Sequence, residues 1–290
     1  MNPADLDHAI VTHVNAKAKA LEDILLSDVV CYFGPIHPQI TRSFRNFIEE
    51  VKKASTRTEN TLSIVLRSPG GSAETTERMV SVVRHHYATV NFVVPDSAMS
   101  AGTIFCMSGD RIYMDYSSAL GPIDPQVLSS DGNGYVAALG YLDKVSEITA
   151  KAVLTPADVV FLRSMDLGKL ALYEQAKNLS ISLLKKWLVA YKFKDWIVHR
   201  TTNPGAPVTQ EEKEARAEEI AAALSDNKRW HMHGRALGIE RLLELRLDID
   251  DYSKNDPLRV AIREYNDLLT SYADRQQMPI YMHSHHTEKP

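Results

Sequence analysis

The first half of the chain alternates short apolar runs with segments whose apolar residues recur at helical spacing. The runs that predict buried strands are 28–33, 61–66, 90–94 and 111–114. The segments that predict helices are 38–54, 74–87 and 101–108. Neighbouring parallel strands need a crossover connection, which is usually a helix. The pattern therefore predicts a parallel sheet with helices on both of its faces.

The pattern changes at about residue 140, beyond which nearly every segment has helical spacing. Thr155-Pro156 is typical of a helix start, Thr209 with Glu212 forms a capping box, and Asp256-Pro257 opens the last long helix. The sequence thus predicts an α/β core with the functional site over 1–150. A helical region over 151–290 is expected to pack on that core.

Composition and charge narrow the class of protein. The 290 residues are 44% apolar and 24% charged, with a net charge of −4, which is typical of a soluble globular protein and gives no sign of a nucleic-acid partner. No signal peptide and no membrane-spanning run is evident, so a cytoplasmic location is expected. Cys31 and Cys106 lie in apolar runs and are expected to be buried free thiols.

Two loops at the carboxyl ends of predicted strands are rich in small residues. They are RSPGGS at 67–72 and DSAMSAGT at 96–103, and each leads into a helix. In an open parallel sheet, ligands bind beyond the carboxyl ends of the strands. A serine beside paired glycines and free helix amides has the parts for acyl transfer. Alternatively, Ser72 and Ser100 only cap the helices that follow, and spacing alone favours this interpretation.

Three motifs together resemble a known family. SPGGS at 68–72, SAMSAGT at 97–103 and LGPIDPQ at 120–126 are similar, in this order, to serine peptidases of the ClpP/crotonase fold. The closest resemblance is to the serine dehydrogenase proteinase family, and WHMHG at 230–234 resembles that family too. The resemblance implies an α/β fold with a ClpP/crotonase-like parallel sheet core and a mainly helical second half. It also implies a serine endopeptidase that cleaves extended or unfolded protein segments through an acyl-enzyme, without a cofactor.

The resemblance also assigns roles to individual residues. Ser100 becomes the nucleophile, and the backbone N–H groups of Gly71 and Ala101 form the oxyanion hole. A bulky residue at Gly71 is then expected to harm activity more than folding. The residues expected to line a groove for an extended polypeptide substrate are Arg67, Ser68, Pro69 and Gly70. Asp124, in the PIDP turn, belongs to the same site and either orients a base or caps the turn.

The general base is the least determined part of the site. ClpP peptidases carry a histidine about where this chain has Gly121-Pro122-Ile123, and no histidine lies between His86 and His199. Similarity to serine–lysine peptidases selects Lys144, with Lys151 and His233 as alternatives. A lysine acts as a base only if burial lowers its pKa towards neutrality. The opposing interpretation of Lys144 is a solvated surface lysine paired with Asp143 or Glu147.

Several further expectations complete the picture. The segment 169–199 carries more apolar residues than one buried face needs, including Trp187 and Trp196, so a homo-oligomer is expected. His231 and His233 lack further ligands at zinc-like spacing, so no metal is expected. The segment MHSHHTEKP at 282–290 is expected to be disordered or an interface arm.

Other readings of function and location stay open. Family members commonly carry a membrane-spanning N-terminus that this chain lacks, so membrane association stays open. The alternative functions are a crotonase-like acyl-CoA enzyme and a catalytically silent oligomeric scaffold of the same fold. The acyl-CoA enzyme would use the same oxyanion hole without a nucleophilic serine, but no glutamate occupies the quoted turns.

Overall fold

The computed structural model describes residues 3–124, 126–128, 135–199, 203–230, 232 and 234–287. The strands are β1 (Asp28–Phe33), β2 (Thr61–Arg67), β3 (Thr89–Val93), β4 (Ser97–Ala98), β5 (Arg111–Met114), β6 (Ala119–Leu120), β7 (Gln126–Leu128), β8 (Tyr135–Ala137), β9 (Asp250–Asp251) and β10 (Tyr281–His283). The first helices are α1 (Pro3–Leu25), α2 (Thr41–Ala54), α3 (Ala73–His86), α4 (Ala101–Met107), α5 (Ala138–Thr149) and α6 (Pro156–Ser164). The remaining helices are α7 (Leu167–Trp187), α8 (Gln210–Leu224), α9 (Asn227–Trp230), α10 (Ile239–Glu244) and α11 (Asp256–Arg275).

The predicted α/β fold class is confirmed. The main sheet has the strand order β10-β1-β2-β3-β5-β9, and β1, β2, β3 and β5 are parallel, as the alternation of strands and helices predicts. The predicted strands agree with the observed ones to within one residue at each end. This agreement arises because strands covered on both faces are apolar at most positions, as the buried positions are here apart from Asp28, Ser63 and Asn91.

Both faces of the sheet are covered by helices. Along β1, Val30 and Tyr32 face one apolar cluster, which includes residues of α2, α3, α4, α7 and α8. Val29, Cys31 and Phe33 face the other cluster, which includes residues of α1 and α11. Each fully buried aliphatic or phenyl side chain contributes roughly 1.5–3 kcal/mol to folding. The sheet is therefore a rigid platform for the loops at its carboxyl edge.

The second half of the chain completes the sheet. β9 pairs with β5 in parallel, and β10 pairs with β1 in the antiparallel direction, with Cys31 opposite His283. The prediction of a disordered segment or interface arm is therefore wrong for 282–287. His283 is only 1% exposed and Ser284 is fully buried. Residues 288–290 lie outside the described part of the chain.

The apolar residues after residue 140 are distributed differently from the prediction. Trp187 is buried in the main core, so it offers no surface to another subunit, and Trp196 is half-buried against Phe193. Large exposed apolar side chains lie instead around α5, α6 and the start of α7, and they include Tyr141, Val153, Val160, Leu167 and Leu172. We call this group of side chains the exposed apolar patch.

Two further expectations concern cysteines and membranes. Cys31 and Cys106 are buried free thiols, as predicted, and burial raises the pKa of each thiol. Such thiols pack as small apolar side chains. Within the described ranges, no helix is both long enough and apolar enough to cross a bilayer.

Candidate active site

Two loops meet at the carboxyl edge of the sheet. The loop 68–72 follows β2, and the segment 97–100 follows β3 and leads into α4. Ser68 N donates a hydrogen bond to Ser97 O at 3.0 Å, and Met99 N donates one to Ser68 O at 2.9 Å. The two loops thus pair like short strands, which places the SPGG turn beside Ser100.

The backbone conformation of Ser100 is unusual. Its φ of 49° and ψ of −112° are strained for a residue with a side chain, and strain of this kind clusters at functional sites. Its side chain makes no capping hydrogen bond to α4. Ser72, in contrast, accepts a hydrogen bond from Thr75 N at 3.1 Å and caps α3. The capping interpretation therefore holds for Ser72 and is wrong for Ser100.

The hydroxyl of Ser100 faces the LGPID segment. Ser100 Oγ donates a hydrogen bond to Asp124 O at 3.3 Å, and the residue is 3% exposed. Thr103 stabilises the backbone of the turn through hydrogen bonds. Its Oγ1 lies 2.8 Å from Ala98 O and accepts a hydrogen bond from Gly121 N at 3.0 Å. The hydroxyl is thus held by one long hydrogen bond in a turn whose backbone is fixed.

The amide of Gly71 points away from Ile36, the neighbouring residue in the loop after β1. On one side of this loop, Ile36 N donates to Gly70 O at 2.8 Å, and Ser72 N donates to Ile36 O at 2.9 Å. Ile36 and Gly71 form an isolated parallel bridge, in which Gly70 O and Ser72 N face Ile36 and the Gly71 N–H points to the opposite side. The Gly71 amide is therefore a candidate donor to a ligand.

Ala101 supplies a second candidate oxyanion donor. It is the first residue of α4, and the first amides of a helix have no partner within the helix. In the described part of the chain, the amides of Gly71 and Ala101 make no hydrogen bond to another group. The two loops are in contact here, because a Cβ on Gly70 would lie 2.8 Å from Ser100 Cβ. Both donors therefore flank the nucleophile candidate.

The predicted groove residues lie along the same loop. Ser68 is buried and its Oγ accepts a hydrogen bond from Gly70 N at 3.1 Å, whereas Pro69 is exposed. Arg67 donates to Thr270 Oγ1 at 3.0 Å and stacks on Phe33 at 4.6 Å. Ser68 therefore shapes the turn, and Arg67 joins it to α11.

Asp124 connects Ser100 to the start of α5. Its backbone oxygen accepts the Ser100 hydroxyl, and its Oδ1 accepts a hydrogen bond from Leu139 N at 3.0 Å. The residue is 2% exposed. Asp124 thus acts as a cap that anchors the helix on which Lys144 lies.

Of the candidate bases that the structure describes, neither Lys144 nor Lys151 hydrogen-bonds to Ser100 Oγ. Lys144 is half exposed, and its Nζ lies 3.2 Å from both carboxylate oxygens of Glu147, which is the surface-lysine arrangement. Lys151 pairs with Asp158 at 2.7 Å. His233, like His231, lies outside the described residues. Among the described residues, no lysine or histidine hydrogen-bonds to Ser100 Oγ.

Sequence reasoning missed two residues that build this site. Ile36, in the loop after β1, holds the SPGG turn from one side, and Thr103 holds the Ser100 turn from behind. Thr103 lies within the motif SAMSAGT, where a small polar side chain directly before an apolar run could have indicated a residue that supports the turn. Ile36 gave no such indication, since its role depends on backbone pairing alone.

Two curated proteins are similar to this chain in sequence. The Methanocaldococcus jannaschii protein MJ0137, described as uncharacterized, is 26% identical over 219 residues, which is 75% of this chain and 63% of that protein. MJ1495 of the same organism, also uncharacterized, is 32% identical over 81 residues, which is 27% of this chain and 28% of that protein. The chain thus spans less than two thirds of the length of these relatives.

Two solved structures are similar in fold, and both are substituted forms of the 1510-N membrane-bound stomatin-specific protease. One has a TM-score of 0.45 at 15% identity and covers 79% of this chain and 80% of that one. The other, in complex with a substrate peptide, has a TM-score of 0.47 at 17% identity and covers 79% and 76%.

A family match covers the region that carries the site. Residues 35–195 match the family described as ClpP-like SDH-type serine proteinase. This match spans more than half of the chain and includes both loops that flank Ser100. The chain therefore belongs to the ClpP-like SDH-type serine proteinases.

Proposed function

We propose that this protein is a serine endopeptidase that hydrolyses extended or unfolded protein segments through an acyl-enzyme on Ser100. The observation that carries the proposal is the strained Ser100, whose side chain caps no helix and which contacts the Gly70-Gly71 turn at the start of α4. Ser100 Oγ attacks the scissile carbonyl, and the Gly71 and Ala101 amides stabilise the oxyanion. The amine then leaves, and water hydrolyses the ester.

The free side of the SPGG loop favours an extended substrate. Ile36 already occupies the edge formed by Gly70 O and Ser72 N. The opposite edge presents the N–H of Gly71 to an incoming chain, which can add to the loop as a further strand. A folded substrate does not expose its backbone in this way, which supports unfolded or extended segments as the substrate class.

A fluorophosphonate probe tests the proposed chemistry. An activated serine forms a covalent adduct with the probe, and peptide mapping is expected to place the adduct on Ser100. A crotonase-like acyl-CoA enzyme would instead bind acyl-CoA in a titration and stay unlabelled. A silent scaffold would do neither, so either of these two results would refute the peptidase.

We assign Lys144 as the general base, in line with the resemblance to serine–lysine peptidases. It lies on α5, whose first turn is anchored by Asp124 beside Ser100. To accept a proton, the amine must leave Glu147 and lose contact with water. The exposed apolar patch around α5, α6 and α7 offers a means, because a bound substrate or second subunit would cover this region.

Replacing Lys144 by alanine is expected to slow both labelling and peptide hydrolysis by about 10²–10⁴-fold, the usual contribution of a general base. Lys144→Arg should be equally slow, since a guanidinium does not give up its proton at neutral pH. Lys186→Ala, on the exposed side of α7, is the control and should leave both rates unchanged. If Lys144→Ala labels normally, the base has to be sought at Lys151 or His233.

The exposed apolar patch also supports a homo-oligomer. Val160 and Leu167 are 69% and 78% exposed, and apolar side chains this exposed on neighbouring helices are typical of contact surfaces. Light scattering at micromolar concentration is expected to give a multiple of the 32.5 kDa chain mass. The double variant Val160→Glu/Leu167→Glu should shift the mass towards that of one chain. A monomeric wild type would contradict this assembly.

A further inference from the structure

A cluster of titratable side chains lies at the amino edge of the sheet, away from Ser100. A turn at 284–287 follows β10 and presents two imidazoles to α1, with Thr287 N donating to Ser284 O at 3.2 Å. His285 Nε2 lies 2.7 Å from Glu22 Oε2, and His286 Nε2 lies 3.2 Å from Glu22 Oε1. The three ligand atoms all lie within 4.8 Å of one another.

Glu22 is the centre of this cluster. It is 2% exposed, and Val29 N donates to its Oε1 at 2.9 Å. Burial alone would raise the pKa of Glu22, but hydrogen bonds from His285, His286 and the Val29 amide outweigh it and lower the pKa to about 2. Two imidazoles and one backbone amide therefore converge on this buried carboxylate.

A second buried carboxylate adjoins the first. Asp28 Oδ1 lies 3.7 Å from His286 Nε2. Ser55 Oγ donates to the same oxygen at 2.6 Å, and Tyr87 OH donates to Oδ2 at 2.9 Å. Hydrogen bonds that orient a carboxylate in this way are typical of the surroundings of metal ligands.

We propose that Glu22, His285 and His286 bind a zinc ion, with Asp28 Oδ1 or a water as the fourth ligand. Zinc takes imidazole and carboxylate ligands at about 2.0–2.2 Å in a tetrahedron, which places ligand atoms about 3.4 Å apart. His285 and His286 approach different oxygens of Glu22, at 2.7 Å and 3.2 Å. One ligand atom from each residue lies within 4.8 Å of the others, so a shift of the turn towards one carboxylate oxygen would bring all three to this spacing.

The charges around the site balance with a divalent cation. Two carboxylates and two neutral imidazoles match the two positive charges of zinc. Arg57 Nε approaches Glu22 Oε2 at 3.6 Å, but its guanidinium pairs with Asp23 at 2.7 Å. A zinc ion would therefore offset the charge of the two carboxylates.

The zinc ion would have a structural role. It would join the end of α1 to the segment after β10 and so hold β10 against β1. The site is separated from the Ser100 loops by the length of β1, which at six residues is about 20 Å. No contact of Ser100, Gly71 or Ala101 involves this cluster, so zinc binding and peptidase activity can be tested separately.

Calorimetric titration of ZnCl₂ into metal-free, tag-free protein tests the proposal. A purification tag of histidines would itself bind zinc and must be absent. We expect saturable binding of a single ion per chain, and a rise in Tm of roughly 5 °C when zinc exceeds its Kd about 100-fold.

The double variant His285→Ala/His286→Ala is expected to lose this binding and the rise in Tm. The matched control, His85→Ala/His86→Ala, removes a second histidine pair at the end of α3 and should bind zinc like the wild type. Equal binding by wild type and the 285/286 variant, or no saturable binding by wild type, would overturn the proposal. The histidines would then serve only as ion-pair partners of Glu22.

Cobalt provides a measurement that does not depend on folding of a variant. Co²⁺ bound to the wild-type protein in a four-coordinate site absorbs visible light much more strongly than the six-coordinate aqueous ion. An intense visible spectrum that zinc abolishes is the expected result. A weak spectrum like that of the aqueous ion would show that the cluster is not a four-coordinate metal site.

Discussion

The variant Ser100→Ala is expected to lose peptide hydrolysis and fluorophosphonate labelling while keeping the thermal stability of the wild type. Removing a nucleophile of this type lowers turnover by about 10⁴-fold or more. The hydroxyl makes one hydrogen bond of 3.3 Å, to Asp124 O, so its loss should cost about 1 kcal/mol or less in stability. Labelling is followed by gel fluorescence and stability by calorimetry.

Ser72→Ala is the matched control, and the opposite result is expected for it. Ser72 caps α3, so its replacement should lower stability by about 1 kcal/mol and leave labelling intact. Ser97→Ala should also leave labelling intact, since Ser97 lies in β4 before the turn. Full activity of Ser100→Ala would refute the assignment of the nucleophile.

The variant Gly71→Ala is expected to lose both activity and stability. Gly71 has a φ of 142°, and a Cβ there would lie 2.1 Å from the backbone oxygen of Ile36. Because backbone must move to relieve that contact, we expect a loss of about 3 kcal/mol or more. We therefore expect a side chain at this position to harm folding as well as activity, and not mainly activity. The glycine is needed to build the loop as well as to present its amide.

Gly140→Ala is the control for the glycine substitution. It lies in α5, and a Cβ there would meet nothing within 4 Å. Alanine is favoured over glycine in a helix by about 0.5–1 kcal/mol, so this variant should be slightly more stable than the wild type. The Tm and the fluorophosphonate labelling of Gly71→Ala and Gly140→Ala are compared with those of the wild type. A Gly71→Ala protein as stable as the wild type would contradict the clash.

The sequence predicted the parallel core well because its signals are local. The continuous apolar runs, the helical spacing between them and the capping residues Thr155 and Thr209 all lie within a few residues of the elements they specify. Even α1, which we did not predict, carries a signal in the spacing of Val14, Ala18 and Leu21 on its buried face. The many polar residues between these three positions make the apolar face of α1 hard to recognise from the sequence.

The parts that could not be predicted depend on distant contacts. β9 and β10 are two and three residues long, and only their pairing with β5 and β1 makes them strands. Ser72 and Ser100 are alike in sequence, and a backbone angle separates them. Glu22 likewise lies more than 250 residues before His285 and His286, the other two proposed zinc ligands. No spacing rule would therefore have grouped Glu22 with them.

The pairing of β1 with β10 has a consequence for biosynthesis. β1 is synthesised early, but the strand that pairs with its outer edge, residues 281–283, is synthesised near the end of the chain. The outer edge of β1 therefore stays unpaired while the intervening residues are synthesised. An unpaired strand edge invites pairing with other chains. Contacts this far apart also slow folding. The nascent chain therefore emerges with its sheet incomplete, and the dependence on chaperones should be greatest before the last strand leaves the ribosome.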